Sequence, residues 1–292
     1  MNVPGTLNLD REHFLARHWQ RDPLLIRQAL PGFTTPANPD TLAGLALEAD
    51  VESRIIEHSD GQWRLFHGPF TDADYQRECP WTLLVQAVDH YLPAVAQLRQ
   101  LVDFFPQWRV DDVMASYAVD GGSVGPHYDN YDVFLLQGQG QRLWRVGQHC
   151  DASSRLLPHA DLRILDEFRV EEEYLLGPGD MLYLPPGRAH WGIARGDCTT
   201  FSIGFRAPRL NDMLSRFTDA LLAELDPEAF YTDAGLIAGS RPGEISATDL
   251  ARAREQVLAA VSAAGDDRWF GELVTEPRYE PAPDDDTLAE SR

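Results

Sequence analysis

With 292 residues, 43% of them hydrophobic, and 46 acidic against 25 basic side chains for a formal net charge of −21, the chain reads as a globular protein with room for one large domain and a smaller one. That field repels nucleic acid and attracts cationic partners, so a basic protein partner is expected and direct nucleic-acid binding is not, the alternative being a charge that serves solubility alone. No apolar run approaches the ~20 residues of a membrane helix, Met1-Asn2-Val3-Pro4-Gly5 lacks the regions of a signal peptide, and Cys79, Cys150 and Cys198 form no CxxC, so a cytoplasmic protein with reduced thiols and no membrane partner is expected.

Asp10 caps an expected helix carrying Phe14, Leu15 and Trp19, which Pro23 closes, and Leu24-Leu25-Ile26 follows as a short strand. A second helix begins at Pro39. Arg54-Ile55-Ile56 and Trp63-Arg64-Leu65-Phe66 flank Asp60-Gly61, a hairpin signal. The spacing of Trp81, Leu84, Val85 and Val88 predicts another helix, and Pro93 to Phe105 a further one. From Trp108 to Arg206 the texture changes to about eight short β runs broken by glycine and proline, from Val113–Val119 to Thr199–Phe205, which predict an antiparallel jelly roll. After Pro208 the pattern returns to helices, Asn211–Leu225 and Thr248–Ala264, with a flexible acidic tail from Glu276. The expected organisation is a catalytic domain over 1–207, a helical region over 208–275 and a tail over 276–292.

Gly125-Pro126-His127-Tyr128-Asp129-Asn130-Tyr131-Asp132 puts an imidazole and a carboxylate two residues apart, where period-two geometry points both to one face. Gly179-Asp180 through Pro185-Pro186-Gly187-Arg188-Ala189-His190 delivers a second histidine, with the spacing of the second half of cupin barrels. His127, Asp129 and His190 make a two-histidine, one-carboxylate set, the facial arrangement that leaves positions open on iron(II). His13, His18, His58, His67, His90, His149 and His159 have no partner pattern and read as structural or solvated. Such a triad suits 2-oxoglutarate and dioxygen as cosubstrates. Arg142, sharing a strand face with Trp144 and opposite Arg145, is the expected anchor for the distal carboxylate, with Ser116 as a second donor. Asp120, Tyr128, Asn130 and Tyr131 flank the ligand turn on the expected substrate side. Asp120 has a plainer role as a turn former before Gly121-Gly122.

The runs Asp111-Asp112-Val113-Met114, Gly125 through Phe134, Trp144-Arg145-Val146-Gly147, Pro178 through His190 and Ser202-Ile203-Gly204-Phe205-Arg206-Ala207-Pro208 resemble the bacterial JmjC-type ribosomal oxygenases, over residues 7 to about 280. The resemblance implies an α+β fold with a mainly β core, a double-stranded β-helix of the cupin/JmjC kind with N-terminal helices and an appended C-terminal helical region. It implies an iron(II)- and 2-oxoglutarate-dependent hydroxylase of an arginine β-carbon in a large-subunit ribosomal protein, giving 3-hydroxyarginine, succinate and carbon dioxide. His127, Asp129 and His190 would be the iron ligands, Arg142 and Ser116 the 2-oxoglutarate contacts, and the helices after Pro208 a homodimer interface. Members of the family continue into a winged-helix-like domain, which is expected to be absent because this sequence ends at Arg292. The alternatives are the same chemistry on a histidine or methyl-lysine, a cupin-like metal-binding or interaction protein without turnover, and a metal-dependent isomerase or hydrolase in the same barrel.

Overall fold

The structure is a computed structural model, and it describes residues 6–236, 243–263 and 265–276. The described residues form two compact units, divided at Pro208. The tail expected over 276–292 lies outside them except for Glu276.

In the first unit, α1 (Arg11–Arg17) starts where the Asp10 side chain accepts from His13 N, and β1 (Leu24–Ile26) follows. Asn38 caps α2 (Pro39–Leu45), which precedes β2 (Ser53–Ser59) and β3 (Gln62–His67). Asp60 and Gly61, at φ +52° and +73°, make the hairpin turn between these strands. Next come β4 (Trp81–Val85), α3 (Val88–Tyr91), α4 (Pro93–Ala96) and a 3-10 turn over Gln97–Val102. The barrel strands are β5 (Val110–Ala118), β6 (Val133–Gln137), β7 (Gln141–His149), β8 (Val170–Leu176), β9 (Met181–Leu184), β10 (Arg188–Arg195) and β11 (Cys198–Phe205).

Two expectations need correction. Trp81 to Val88 is not a helix: Trp81–Val85 is an inner strand of the sheet, buried at all five positions. A strand covered on both faces reads as a continuous apolar run, which imitates helical spacing over a few residues. Pro93 to Phe105 is a single turn of α-helix followed by 3-10 backbone rather than one helix.

The pairings are antiparallel, in an eight-stranded sheet ordered β1-β9-β6-β11-β5-β4-β2-β3 and a three-stranded sheet ordered β10-β7-β8. The large sheet turns one face to the helices, where Phe14, Leu42 and Val88 pack on Ile55, Val113, Phe134 and Phe201. Its other face meets the small sheet through Val133, Leu135, Trp144, Val146, Leu182 and Leu184. This is the double-stranded β-helix, and β2, β3 and β4 extend its large sheet. At the barrel's edge, Asp132 is fully buried and accepts from Tyr183 Oη at 2.6 Å, Gln20 Nε2 at 2.9 Å and Arg109 Nη2 at 3.2 Å. Those bonds tie the chain after α1 to the start of β6.

The second unit contains α5 (Leu210–Glu224), α6 (Ala247–Ala263) and α7 (Arg268–Thr275), the last not foreseen from the sequence. Phe217 meets Trp269 edge to face at 5.6 Å. Val274 is the one residue buried among those described in this unit, while Leu214, Leu222, Val257 and Leu258 are more than half exposed.

Candidate metal centre

The turn between β5 and β6 carries two of the expected ligands, and β10 carries the third. Backbone bonds lock the two segments together: His127 N donates to His190 O at 3.0 Å, His190 N to His127 O at 2.8 Å, and Gly187 N to Asp129 O at 2.7 Å. Gly125 takes φ +83°, and a Cβ built on it would lie 3.2 Å from the Trp63 ring and 3.3 Å from Ile164 Cδ1, so glycine is needed for both reasons.

The structure brings His127, Asp129 and His190 together, with their ligand atoms within 4.8 Å of one another. His190 Nε2 lies 3.7 Å from Asp129 Oδ2, and the two imidazole centroids are 4.2 Å apart. Nδ1 of His127 is 2.9 Å from Gly125 O, and Nδ1 of His190 is 3.0 Å from Arg188 O. A carbonyl oxygen only accepts, so each Nδ1 is the protonated nitrogen and each Nε2 keeps its lone pair for a metal. Burial, helped by the neighbouring His127, pushes the His190 pKa down to about 4, so the ring is neutral and able to ligate at pH 7. Two imidazoles and one carboxylate suit iron(II) held by one face of its coordination sphere.

Arg142 and Ser116 sit on facing sheets. Arg142 is 4% exposed, its Nη1 reaches Ser116 Oγ at 3.4 Å, and its guanidinium lies 5.7 Å from the Trp144 ring centre. Its Nε and Nη2, and Trp144 Nε1 beside them, are buried without hydrogen-bond partners. A buried cation with idle donors is costly unless an anion meets it, and a carboxylate fits. Trp144 also flanks His190, with ring centroids 5.9 Å apart, and lies across Gly192, where a Cβ would come within 2.8 Å of the indole. The inner face of the small sheet thus runs from Arg142 through Trp144 to the metal ligands.

The substrate-side expectations divide. Tyr131 is 41% exposed and faces Asp129, whose charge raises the phenol pKa above its ordinary value. Asn130 is exposed beside it. Tyr128 is buried away in a cluster with Cys150 and Leu165, its hydroxyl donating to Asp151 O at 2.7 Å. Asp120 accepts from Gly196 N at 2.7 Å, a long-range bond that pins the turn between β10 and β11. Sequence reasoning missed Trp63 over the ligand turn and Trp144 Nε1 as a donor. The period-two relation of Trp144 to Arg142 was the available signal for the second.

A family model described as JmjC domain matches residues 97–213, and one described as AraC-like ligand binding domain matches 169–268. The chain is 40% identical over 281 residues to the ribosomal protein uL16 3-hydroxylase of Escherichia coli K12, spanning 94% of this chain and 74% of that protein. It is 43% identical over 206 residues to a probable ribosomal oxygenase of Haemophilus influenzae, spanning 70% of this chain and 51% of that one. A structure of the Escherichia coli ribosomal oxygenase in complex with cobalt and 2-oxoglutarate superposes with a TM-score of 0.82 at 38% identity, covering 96% of this chain and 75% of that chain.

Proposed function

The chain belongs to the JmjC-domain ribosomal oxygenases, and on that premise we propose that it is an iron(II)- and 2-oxoglutarate-dependent hydroxylase of a large-subunit ribosomal protein, adding oxygen at the β-carbon of an arginine. His127, Asp129 and His190 would hold the metal, and Arg142 with Ser116 would receive the distal carboxylate of 2-oxoglutarate. The observation that carries this reading is the buried Arg142 guanidinium with Nε and Nη2 idle on the sheet face that leads to the triad. The relatives named above support the substrate class, and so does the net charge of −21, which favours a basic protein.

The bound metal with its cosubstrates supplies an oxidant able to replace an unactivated C–H by C–OH, while 2-oxoglutarate becomes succinate and carbon dioxide. The chain's own part is geometric. The Gly125 and Arg188 carbonyls hold both imidazoles in the ligating tautomer. Arg142 orients 2-oxoglutarate by a charge-assisted bond. Val133, Leu135, Val146 and Leu184 close the barrel below and keep water from the reacting centre. The helices after Pro208 pair two copies through their exposed apolar side chains, and the protein works in the cytoplasm with its ribosomal substrate.

The test is anaerobic titration of the iron(II)-loaded protein with 2-oxoglutarate, followed by mass spectrometry of ribosomal proteins treated in air. A saturable visible absorption band, absent in His190→Ala, and a gain of one oxygen on an arginine are expected. Oxygen on histidine, or loss of a methyl from lysine, would change the substrate and keep the chemistry. No band from the loaded protein would remove 2-oxoglutarate from the account.

A further inference from the structure

The inner face of the large sheet continues beyond the barrel. Ser116 on β5 pairs with Leu84 on β4, Leu84 with Arg54 on β2, and two residues further along β2 at each step come Ile56 and His58, the latter paired directly with Trp63 on β3. By the period-two rule Trp63 and His58 therefore share the face that carries Ser116, the contact of Arg142. The three-stranded sheet pairs as β10-β7-β8 over the barrel, and at the far side of the large sheet Trp63 is half-buried and His58 exposed.

Trp63 is not a stray surface aromatic. The edge of its indole, atoms Cη2 and Cζ2, rests on Gly125, two residues before the first metal ligand and the residue whose carbonyl orients His127. The His58 imidazole stacks on it, with centroids 4.2 Å apart and planes 23° from parallel. Elsewhere in the chain partly exposed rings are covered by the protein's own guanidinium groups, Arg77 over Phe66 and Arg145 over Trp191. Among the described residues no arginine stands over Trp63. A half-buried indole stacked by one imidazole suits a cation in a molecule of net charge −21.

We propose that Trp63, backed by His58, is a specificity-determining residue: its indole receives a guanidinium or ammonium side chain of the substrate polypeptide that neighbours the residue being hydroxylated. The inference rests on the reading given under Proposed function and deepens it. It assigns to the hairpin of β2 and β3 the task of selecting basic sequence around the target, which the metal ligands cannot do because their donor atoms would be taken up by the metal.

The test uses the iron-loaded full chain and peptides containing the target arginine. Single flanking arginines are replaced in turn by citrulline, which keeps the shape and removes the charge. Wild type should prefer arginine over citrulline at one flanking position by about three- to thirty-fold in kcat/KM. Trp63→Leu, which keeps an apolar side chain on Gly125, should bring that ratio close to one by raising KM for the arginine peptide, and Trp63→Phe should restore part of it. The 2-oxoglutarate titration without peptide should be the same in wild type and Trp63→Leu. A Trp63→Leu protein that keeps the full arginine preference overturns the inference and leaves the hydroxylase reading intact. So does one whose losses follow weakened iron or 2-oxoglutarate binding, since Trp63 would then only support the ligand turn. A wild type that hydroxylates no peptide or ribosomal protein overturns both.

Discussion

Arg142, the proposed anchor for 2-oxoglutarate, is at the same time a structural burden. It is 4% exposed with two of its nitrogens unpartnered, so the protein without cosubstrate carries a buried charge that only the Ser116 hydroxyl and the Trp144 ring offset. Arg142→Met should raise the melting temperature of the metal-free protein, because an apolar side chain of similar length in place of a buried ion is worth roughly 1–4 kcal/mol. The same change should raise the 2-oxoglutarate KM roughly 10- to 100-fold, the loss of one charge-assisted bond. Added 2-oxoglutarate should raise the melting temperature of metal-loaded wild type and leave the variant unmoved. If Arg142→Met lowers the melting temperature, Arg142 is a structural member rather than an anchor in waiting. A second buried group, Asp112 on the β5 face that carries Ser116, is governed by the same conflict. Burial outweighs its bonds from Gln86 Nε2 and Ala87 N, with the charges of Asp111 and Asp89 adding to it, and pushes its pKa up to about 6. The folded chain holds this proton between about pH 4 and 6, where the unfolded chain has lost it. Its stabilising contribution is therefore full below about pH 4 and lost as pH rises through 6. Asp112→Asn should flatten that stretch of the stability curve by on the order of 3 kcal/mol. Denaturant unfolding at several pH values checks this, and an unchanged slope would mean that the raised carboxyl is not Asp112. Residues at this scale were unevenly legible. His127, Asp129 and His190 could be read because two sit at i and i+2 and the third follows a Pro-Pro-Gly turn. Trp63 could not, since its place beside Gly125 depends on the order of strands.

Elements were legible where a local signal marked their ends. The Asp60-Gly61 turn and the capped starts of α1 and α2 carry local signals that the tertiary structure does not override. β4 carried the opposite signal, because a strand flanked by β2 and β5 and covered on both sides loses the alternation that identifies it. α7 was missed because Arg268–Thr275 is eight residues with no side-chain cap at Asp267, too short for a periodic stripe to stand out. The helices of the second unit have stripes that this chain leaves in solvent. Leu214 and Leu222 on α5 are 56% and 62% exposed, the state expected of helices that pack against a second copy. Replacing both by Glu should convert a dimer to a monomer by light scattering, with the helical circular dichroism and the 2-oxoglutarate titration unchanged. A wild type that is already monomeric at micromolar concentration would end the pairing proposal.

Across the whole molecule the charges are arranged by one choice of cation. All 25 basic side chains are arginine and none is lysine. Many are used internally, where the guanidinium fork suits a carboxylate: Arg77 on Glu57, Arg99 on Asp89 and Arg109 on Asp132, whose acids are buried, and Arg206 on the half-buried Asp111. Each pair sets aside one positive and one negative charge, so the net charge of −21 is carried by the side chains that remain. The field of that charge acts oppositely on the two organic substrates. It draws a basic polypeptide toward the barrel mouth and resists the dianionic 2-oxoglutarate, while mutual repulsion among the carboxylates strains the folded state. Salt shortens the reach of all three effects, to about 10 Å at 0.1 M and about 3 Å at 1 M. Raising the concentration of an inert salt such as sodium chloride should therefore increase KM for a basic peptide roughly ten-fold across that span. KM for 2-oxoglutarate should hold steady or fall, and the melting temperature should rise. Opposite slopes for the two substrates separate steering from a general loss of activity in salt. If both KM values climb together, or if the peptide KM does not move, the acidity serves solubility and plays no part in bringing the substrate in.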